Sequence, residues 1–187
     1  MVEFKQAETD DELVGILDLQ QSNLAAGLTS KELEREGFVT VSHSLELLRE
    51  LNDIERHVIA IKDGRIAGYV LAMTKASRHR IPILFEMFAE FDRLSVFGHD
   101  LRGSAYMVIG QVCVAKEFRG QGVFEGLYRE YQRQFSTRYP IAITEVASSN
   151  TRSLAAHRKL GFREVAEYTG ESGTRWGIVA WDWNAGQ

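Results

Sequence analysis

The sequence predicts an α/β (α+β) domain in which a mixed sheet is flanked by helices on both faces. Strand-like and helix-like patterns follow one another in the order β-α-α-β-α-β-β-insert-β-α-β-α-β-β. The 187 residues are 44% hydrophobic and 26% charged, which suits one compact domain with a substantial core. We therefore treat residues 1–187 as a single domain.

The elements follow from apolar spacing and from the residues that begin and end each run. Strands are predicted at residues 2–7, 38–41, 57–61, 66–73, 106–114, 141–147, 162–168 and 175–183. Helices are predicted at residues 10–24, 29–36, 45–51, 83–94, 123–135 and 150–160. The caps expected for the first three helices are Asp10 or Asp11, Thr29 or Ser30, and Ser42 or Ser44. Asp63 and Gly64 predict a hairpin turn, and Gly161 ends the last helix.

Residues 75–104 interrupt the succession of strands and helices and form a predicted helical insertion. A basic cluster at residues 75–80 precedes apolar residues at helical spacing from Ile83 to Leu94. Such a stripe is typical of a helix packed on the core. The length of the segment also fits a lid over an acceptor site, because a hairpin needs far fewer residues. The sequence leaves both interpretations open.

The stretch from Gln111 to Tyr128 organises the rest of the chain. A buried strand runs into a turn with two glycines, Gly120 and Gly122, and an amphipathic helix follows. A helix N-terminus offers unpaired N–H groups that attract phosphate, and glycine lets the backbone approach an anion closely. Arg119 adds a cation to the turn. Alone, this pattern also fits an ordinary β-to-α turn with a surface arginine.

Placed between this strand and this helix, the stretch resembles the acetyl-CoA loop of the GNAT acetyltransferases. That pattern is Arg/Gln-x-x-Gly-x-Gly/Ala after a Val-x-Val strand. Val112 and Val114 occupy the strand positions, and Arg119 and Gly122 occupy the loop positions. The last position of the pattern holds Phe124 instead of glycine or alanine.

A second motif lies between Thr144 and Phe162 and resembles the GNAT pattern Asn-x-x-Ala/Ser-x-x-x-Tyr-x-x-x-Gly-Phe. Asn150, Ser153, Gly161 and Phe162 match it, and His157 stands in the tyrosine position. The two motifs cover about residues 105–165. They imply a mostly antiparallel GNAT-like sheet in which a splayed strand pair holds acetyl-CoA as co-substrate. The residues expected to contact it are Val112, Cys113, Val114, Arg119, Gly120, Gln121, Gly122, Val123, Phe124, Asn150 and Ser153.

The resemblance also implies the chemistry, which is attack of a neutral amine on the acetyl thioester. His157 inherits the position of the residue that protonates the leaving thiolate, and the alternative is that it only packs or contacts the cofactor. Glu145 lies five positions before Asn150, as does the base of the ribosomal-protein-type N-terminal acetyltransferases, which this segment is similar to. The alternative for Glu145 is a solvated or ion-paired glutamate at a strand edge.

Composition limits the partners. The net charge of −4 and the lack of a basic run argue against nucleic acid. The N-terminus lacks an apolar signal region, and no apolar run is long enough for a membrane helix, so a cytoplasmic protein is expected. The single cysteine, Cys113, lies in an apolar strand and is expected to be a packed side chain rather than a nucleophile. No metal site is expected, and a homodimer is left open.

The leading hypothesis is acetyl-CoA-dependent N-acetyltransfer to a primary amine, which could belong to a small amine, an amino acid or a protein N-terminus. A non-catalytic acyl-CoA-binding sensor on the same fold is the alternative from another class. A plain nucleotide-phosphate-binding domain would leave the second motif unexplained.

Overall fold

The computed structural model describes residues 1–24 and 42–184. The helices are α1 (Asp10–Gln21), α2 (Leu45–Ile54), α3 (Phe85–Phe91), α4 (Val123–Phe135) and α5 (Thr151–Lys159). The strands are β1 (Glu3–Gln6), β2 (Val58–Lys62), β3 (Arg65–Met73), β4 (Ser95–Val96), β5 (His99–Asp100), β6 (Met107–Val114), β7 (Ile141–Ala147), β8 (Arg163–Thr169) and β9 (Arg175–Asp182). The elements predicted at residues 29–36 and 38–41 lie outside the described residues, as do the caps Thr29 and Ser30.

Within the described residues, the main sheet has seven strands in the order β1-β2-β3-β6-β7-β9-β8. Each neighbouring pair is antiparallel except β6 and β7, which are parallel. The fold class predicted from the sequence is therefore confirmed: a mixed, mostly antiparallel sheet flanked by helices. Strands β4 and β5 form a separate two-stranded hairpin.

Strands β6 and β7 separate after a short region of contact. They pair only at Met107 with Ala142 and at Val108 with Ile143, although β6 continues to Val114. At the point of separation the Thr144 hydroxyl donates to the Ile109 carbonyl at 2.8 Å, so a side chain takes over from the backbone ladder. The predicted splayed strand pair is present, and it opens a gap in the middle of the sheet.

Successive side chains of a strand point to opposite faces of the sheet, and different helices pack on the two faces. A Cβ added to Gly68 would lie 3.0 Å from Leu127 of α4, so Gly68 faces that helix. The next residue, Tyr69, faces α1, because its hydroxyl and the Gln20 amide both donate to Gln111 at 2.6 Å. We call these the α4 face and the α1 face. Gly68 is closely packed, since its Cβ would also lie 2.9 Å from the Cys113 carbonyl oxygen, and it borders the register shift between β2 and β3.

The local signals for helix and turn boundaries hold with one correction. Thr9, and not Asp10 or Asp11, caps α1, because its hydroxyl and the Glu12 carboxylate form a reciprocal capping box. Ser44 caps α2 as one of the two predicted alternatives. Asp63 and Gly64 both have positive φ, 51° and 72°, as a two-residue hairpin turn of this hand requires.

The insertion packs as part of the core. In α3 the side chains of Met87, Phe88 and Phe91 are buried, while Phe85 is 46% exposed. The three buried side chains join a cluster on the α1 face that includes Ile143 and Ile178. The structure therefore shows α3 packed on the core. That this segment also shapes an acceptor site stays a prediction.

Candidate active site

A cavity of about 590 Å³ lies where β6 has parted from β7, between the glycine turn and α5. All but one of the predicted cofactor residues line it: Val112, Cys113, Val114, Arg119, Gly120, Gly122, Val123, Phe124, Asn150 and Ser153. The exception is Gln121, whose amide donates to the Glu117 carbonyl at 2.7 Å and accepts from Lys62 at 3.0 Å. These bonds hold its side chain on the outer side of the turn.

The turn has the geometry of an anion site. Gly120 and Gly122 have φ of 73° and 80°, which glycine adopts without strain. Helix α4 begins at Val123 with Gly122 as its N-cap, and among the residues that the structure describes no side chain caps it. The first intrahelical bond runs from the Gly126 N–H to the Gly122 carbonyl, so the N–H groups before it remain available for a ligand.

Cations surround the cavity. The predicted residue Arg119 is joined by Arg152 and Lys159, which the sequence analysis did not single out. Both lie on α5, seven positions apart and therefore on one face of the helix, so helical spacing could have revealed them. The Arg119 guanidinium donates to the Val114 carbonyl at 3.0 Å and to the Asn23 side chain at 2.8 Å. Asn23 also lines the cavity, and nothing in the sequence marked it.

Phe124 fills the position where the sequence departs from the loop pattern. Its ring packs against Tyr128 and His157, with centroid distances of 4.9 and 5.5 Å, and forms part of the cavity wall. Cys113 is 7% exposed, and burial raises the pKa of its thiol to about 12. The thiol is therefore protonated at neutral pH, which agrees with the expectation of a packed side chain.

His157 lies behind Phe124 and does not line the cavity. Its Nδ1 is 2.8 Å from the Ser153 carbonyl oxygen, which can only accept, so Nδ1 carries the proton. Its Nε2 then accepts from the Tyr128 hydroxyl at 2.6 Å. The ring is 1% exposed, and burial lowers its pKa to about 4. This geometry favours the structural alternative over the predicted role as proton donor.

Glu145 lies on the α1 face of β7, opposite Ile178 of β9. It is half-buried, and the Tyr168 hydroxyl donates to its Oε2 at 2.5 Å. Burial raises the pKa of the carboxyl, the Tyr168 hydrogen bond lowers it, the nearby Glu86 carboxylate raises it, and together they bring it to about 7. The structure thus puts the predicted base and the predicted acid on opposite faces of the sheet.

Comparisons with known proteins identify the fold. The model of the Acetyltransferase (GNAT) family matches residues 28–162, which is more than half of the chain. The chain belongs to the GNAT family. Its members carry out acyl-CoA-dependent acetyltransfer, and the cavity with its cations and open helix start fits a ligand that bears phosphate. Comparison with curated protein sequences finds no significant match.

Solved structures share the fold at low sequence identity. The ribosomal-protein-S18-alanine N-acetyltransferase from Escherichia coli superposes with a TM-score of 0.62 at 17% identity, covering 97% of this chain and 94% of that one. A GNAT acetyltransferase from Streptococcus agalactiae 2603 gives 0.66 at 14% identity, with 97% and 95% covered. A chain of the NatC complex bound to Gag peptide and CoA gives 0.64 at 10% identity, with 97% and 98% covered.

Within residues 1–24 and 42–184, no three His, Cys, Asp or Glu side chains form a group that could hold a metal ion. In the same ranges, no helix is both long and apolar enough to cross a lipid bilayer.

Proposed function

We propose that the protein is an N-acetyltransferase that moves the acetyl group of acetyl-CoA to a primary amine, with Glu145 as the general base. The observation that carries the proposal is the position of Glu145. Its half-buried carboxyl has a pKa raised to about 7, on the sheet face opposite to the cofactor cavity and beside the splayed strands. A base with a pKa near the working pH combines ionisation with a useful affinity for the proton.

In this proposal the α4 face binds acetyl-CoA and the α1 face receives the amine. Acetyl-CoA supplies an activated acetyl thioester. On the α4 face, the cations Arg119, Arg152 and Lys159 and the open start of α4 suit its phosphates. The amine would arrive from the α1 face. Backbone N–H groups of the strand segment Val112–Val114, which lines the cavity, would polarise the thioester carbonyl.

The proposed reaction needs only one group of the protein for proton transfer, the base Glu145. The amine gives one proton to the Glu145 carboxylate, and its lone pair forms the bond to the acetyl carbon while the C–S bond breaks. Because a thiol has a pKa of about 8.5, the leaving thiolate can take its proton from water. A protein acid is therefore not required, which agrees with the buried, neutral state of His157.

The test is acetyl-CoA turnover against a library of primary amines, followed by release of the free thiol. With the best acceptor, Glu145→Gln should lower the rate by a factor on the order of 10² at pH 7. Raising the pH should restore part of the rate, because more of the amine is then neutral. The matched control is Glu167→Gln on β8, an exposed glutamate paired with Arg175, which should keep the wild-type rate.

Two results would overturn the proposal. A wild-type rate in Glu145→Gln would remove the base. Tight binding of acetyl-CoA with no thiol release stimulated by any amine would support the alternative, an acyl-CoA sensor. Such a sensor needs the cavity on the α4 face but not a carboxyl with a raised pKa on the α1 face.

A further inference from the structure

One contact on the α1 face joins two strands that are not neighbours. Glu145 lies on β7 and Tyr168 on β8, and β9 runs between them. Glu145 is opposite Ile178 in the sheet register, and Tyr168 is opposite Trp176. Neighbouring strands are about 4.8 Å apart, so only a long side chain can reach across an intervening strand. The phenol of Tyr168 does so and donates to Glu145 Oε2 at 2.5 Å.

We propose that Tyr168 is a positioning residue that holds the Glu145 carboxylate, by this hydrogen bond across β9, in the orientation that accepts the amine proton. The inference rests on the proposed function, because it assumes that Glu145 is the base. Tyr168 acts on Oε2. Among the described residues, Oε1 accepts no hydrogen bond, which leaves it for the amine or for a water that relays the proton.

The charged surroundings explain why such a donor is needed. Burial and the Glu86 carboxylate of α3 both favour the protonated form of Glu145. Glu86 is itself held near the β8–β9 turn, where it accepts from the Glu171 N–H at 3.1 Å. Glu90 of α3 is the other acidic group that acts on Tyr168. The Tyr168 hydrogen bond is the one described contact that favours the ionised carboxylate.

Tyr168 keeps its own proton throughout. Burial, together with the Glu145, Glu86 and Glu90 carboxylates, raises the pKa of its phenol well above the usual range. The phenol therefore remains an O–H donor at any pH where the enzyme would work. It does not take part in proton transfer, and its effect is on the orientation and the protonation of Glu145.

The test is the titration of Glu145 in wild type and in Tyr168→Phe. Protein labelled with ¹³C at the glutamate carboxyl carbon would give a signal that Glu145→Gln identifies by its loss. Tyr168→Phe should raise the titration midpoint by about one pH unit or more, because a hydrogen bond to a charged group is lost. Turnover at pH 7 should fall several-fold and recover toward pH 9. An unchanged midpoint and pH profile would overturn the inference.

A matched control removes the same kind of bond elsewhere. The Tyr139 hydroxyl donates to Glu55 at 2.8 Å, away from the splayed strands. Tyr139→Phe should leave the Glu145 midpoint and the pH profile unchanged. A second variant, Glu86→Gln, removes the like charge and should lower the midpoint, so the direction of the shift distinguishes a specific contact from general disturbance of this face.

Failure of this inference can be separated from failure of the proposed function. If Glu145→Gln loses turnover but Tyr168→Phe titrates and turns over like wild type, the base remains and the positioning role is wrong. If Glu145→Gln turns over like wild type, the proposed base is wrong, whatever the midpoint in Tyr168→Phe.

Discussion

The two faces of the sheet at the splayed strands are built in different ways. The α4 face is assembled from continuous stretches, residues 112–125 and 150–160, and its cavity is lined almost entirely by them. The α1 face brings together Glu86, Glu145 and Tyr168, which lie on three elements far apart in the chain. Local motifs therefore mark the first face, whereas the second depends on how α3 and the β8–β9 hairpin pack.

Because the two faces are built differently, they should respond differently to substitution. Changes on the α4 face should alter cofactor affinity, because its groups point into a cavity. Changes on the α1 face should alter stability and pH dependence, because its groups are packed against one another in a region of raised carboxyl pKa. Four experiments test this contrast.

The largest effect is expected from Phe88→Ala on α3. Phe88 is 1% exposed within the cluster on the α1 face, so truncation should lower the free energy of unfolding by about 3–5 kcal/mol. Phe85→Ala on the same helix, where the side chain is 46% exposed, should cost far less. Chemical denaturation measures both. Equal, small losses would show that α3 is a lid and not part of the core.

The second effect is the pH dependence of stability that Glu145 causes. Its folded pKa of about 7 lies above the usual 4.5, so the folded state holds this proton more tightly than the unfolded state. Stability from this group is complete below about pH 4.5 and is lost as the pH rises to 7. Glu145→Gln should therefore be more stable than wild type above pH 7, by at most about 3 kcal/mol, and equal to it near pH 4. A constant difference at every pH would contradict the raised pKa.

The third experiment concerns His157, which packs behind Phe124 at the wall of the cavity. His157→Phe should destabilise by about 1–3 kcal/mol, because the buried Tyr128 hydroxyl loses its partner. Tyr128→Phe in the same protein should recover much of this loss, since both polar groups are then gone. The pH–rate profile should keep its shape. Loss of one limb in His157→Phe would instead restore the role as acid that the motif implies.

The smallest effect is expected at Gly122. A valine there must adopt a φ of 80° and alters the start of α4, so acetyl-CoA affinity should fall more than tenfold, about 1.4 kcal/mol. Gly64→Val is the control, because Gly64 has a φ of 72° in the β2–β3 turn and a similar backbone strain. Calorimetry on both folded variants compares them. Equal affinities would remove the glycine turn from the cofactor site.

On the α4 face, most of the structure could be predicted from the sequence alone. The strand, the glycine turn and the helix were predictable because their signals are local: alternating or helical apolar spacing, glycines at positive φ, and Asn150 as the cap of α5. The error at the start of α1 was also local, since Thr9 with Glu12 forms a better capping box than Asp10 or Asp11. Ten of the eleven predicted cofactor residues line one cavity for the same reason.

Tertiary structure decided what the individual side chains can do. His157 matches a motif, yet its two ring nitrogens contact Ser153 and Tyr128, and burial keeps it neutral. Glu145 is an ordinary glutamate by position, yet its pKa is set by burial, by Glu86 and by Tyr168. A pKa depends on desolvation and on charges within a few ångströms, whatever their distance along the chain. Spacing in the sequence fixes which residues share a strand or a helix, but only packing brings a tyrosine across β9 to the carboxylate.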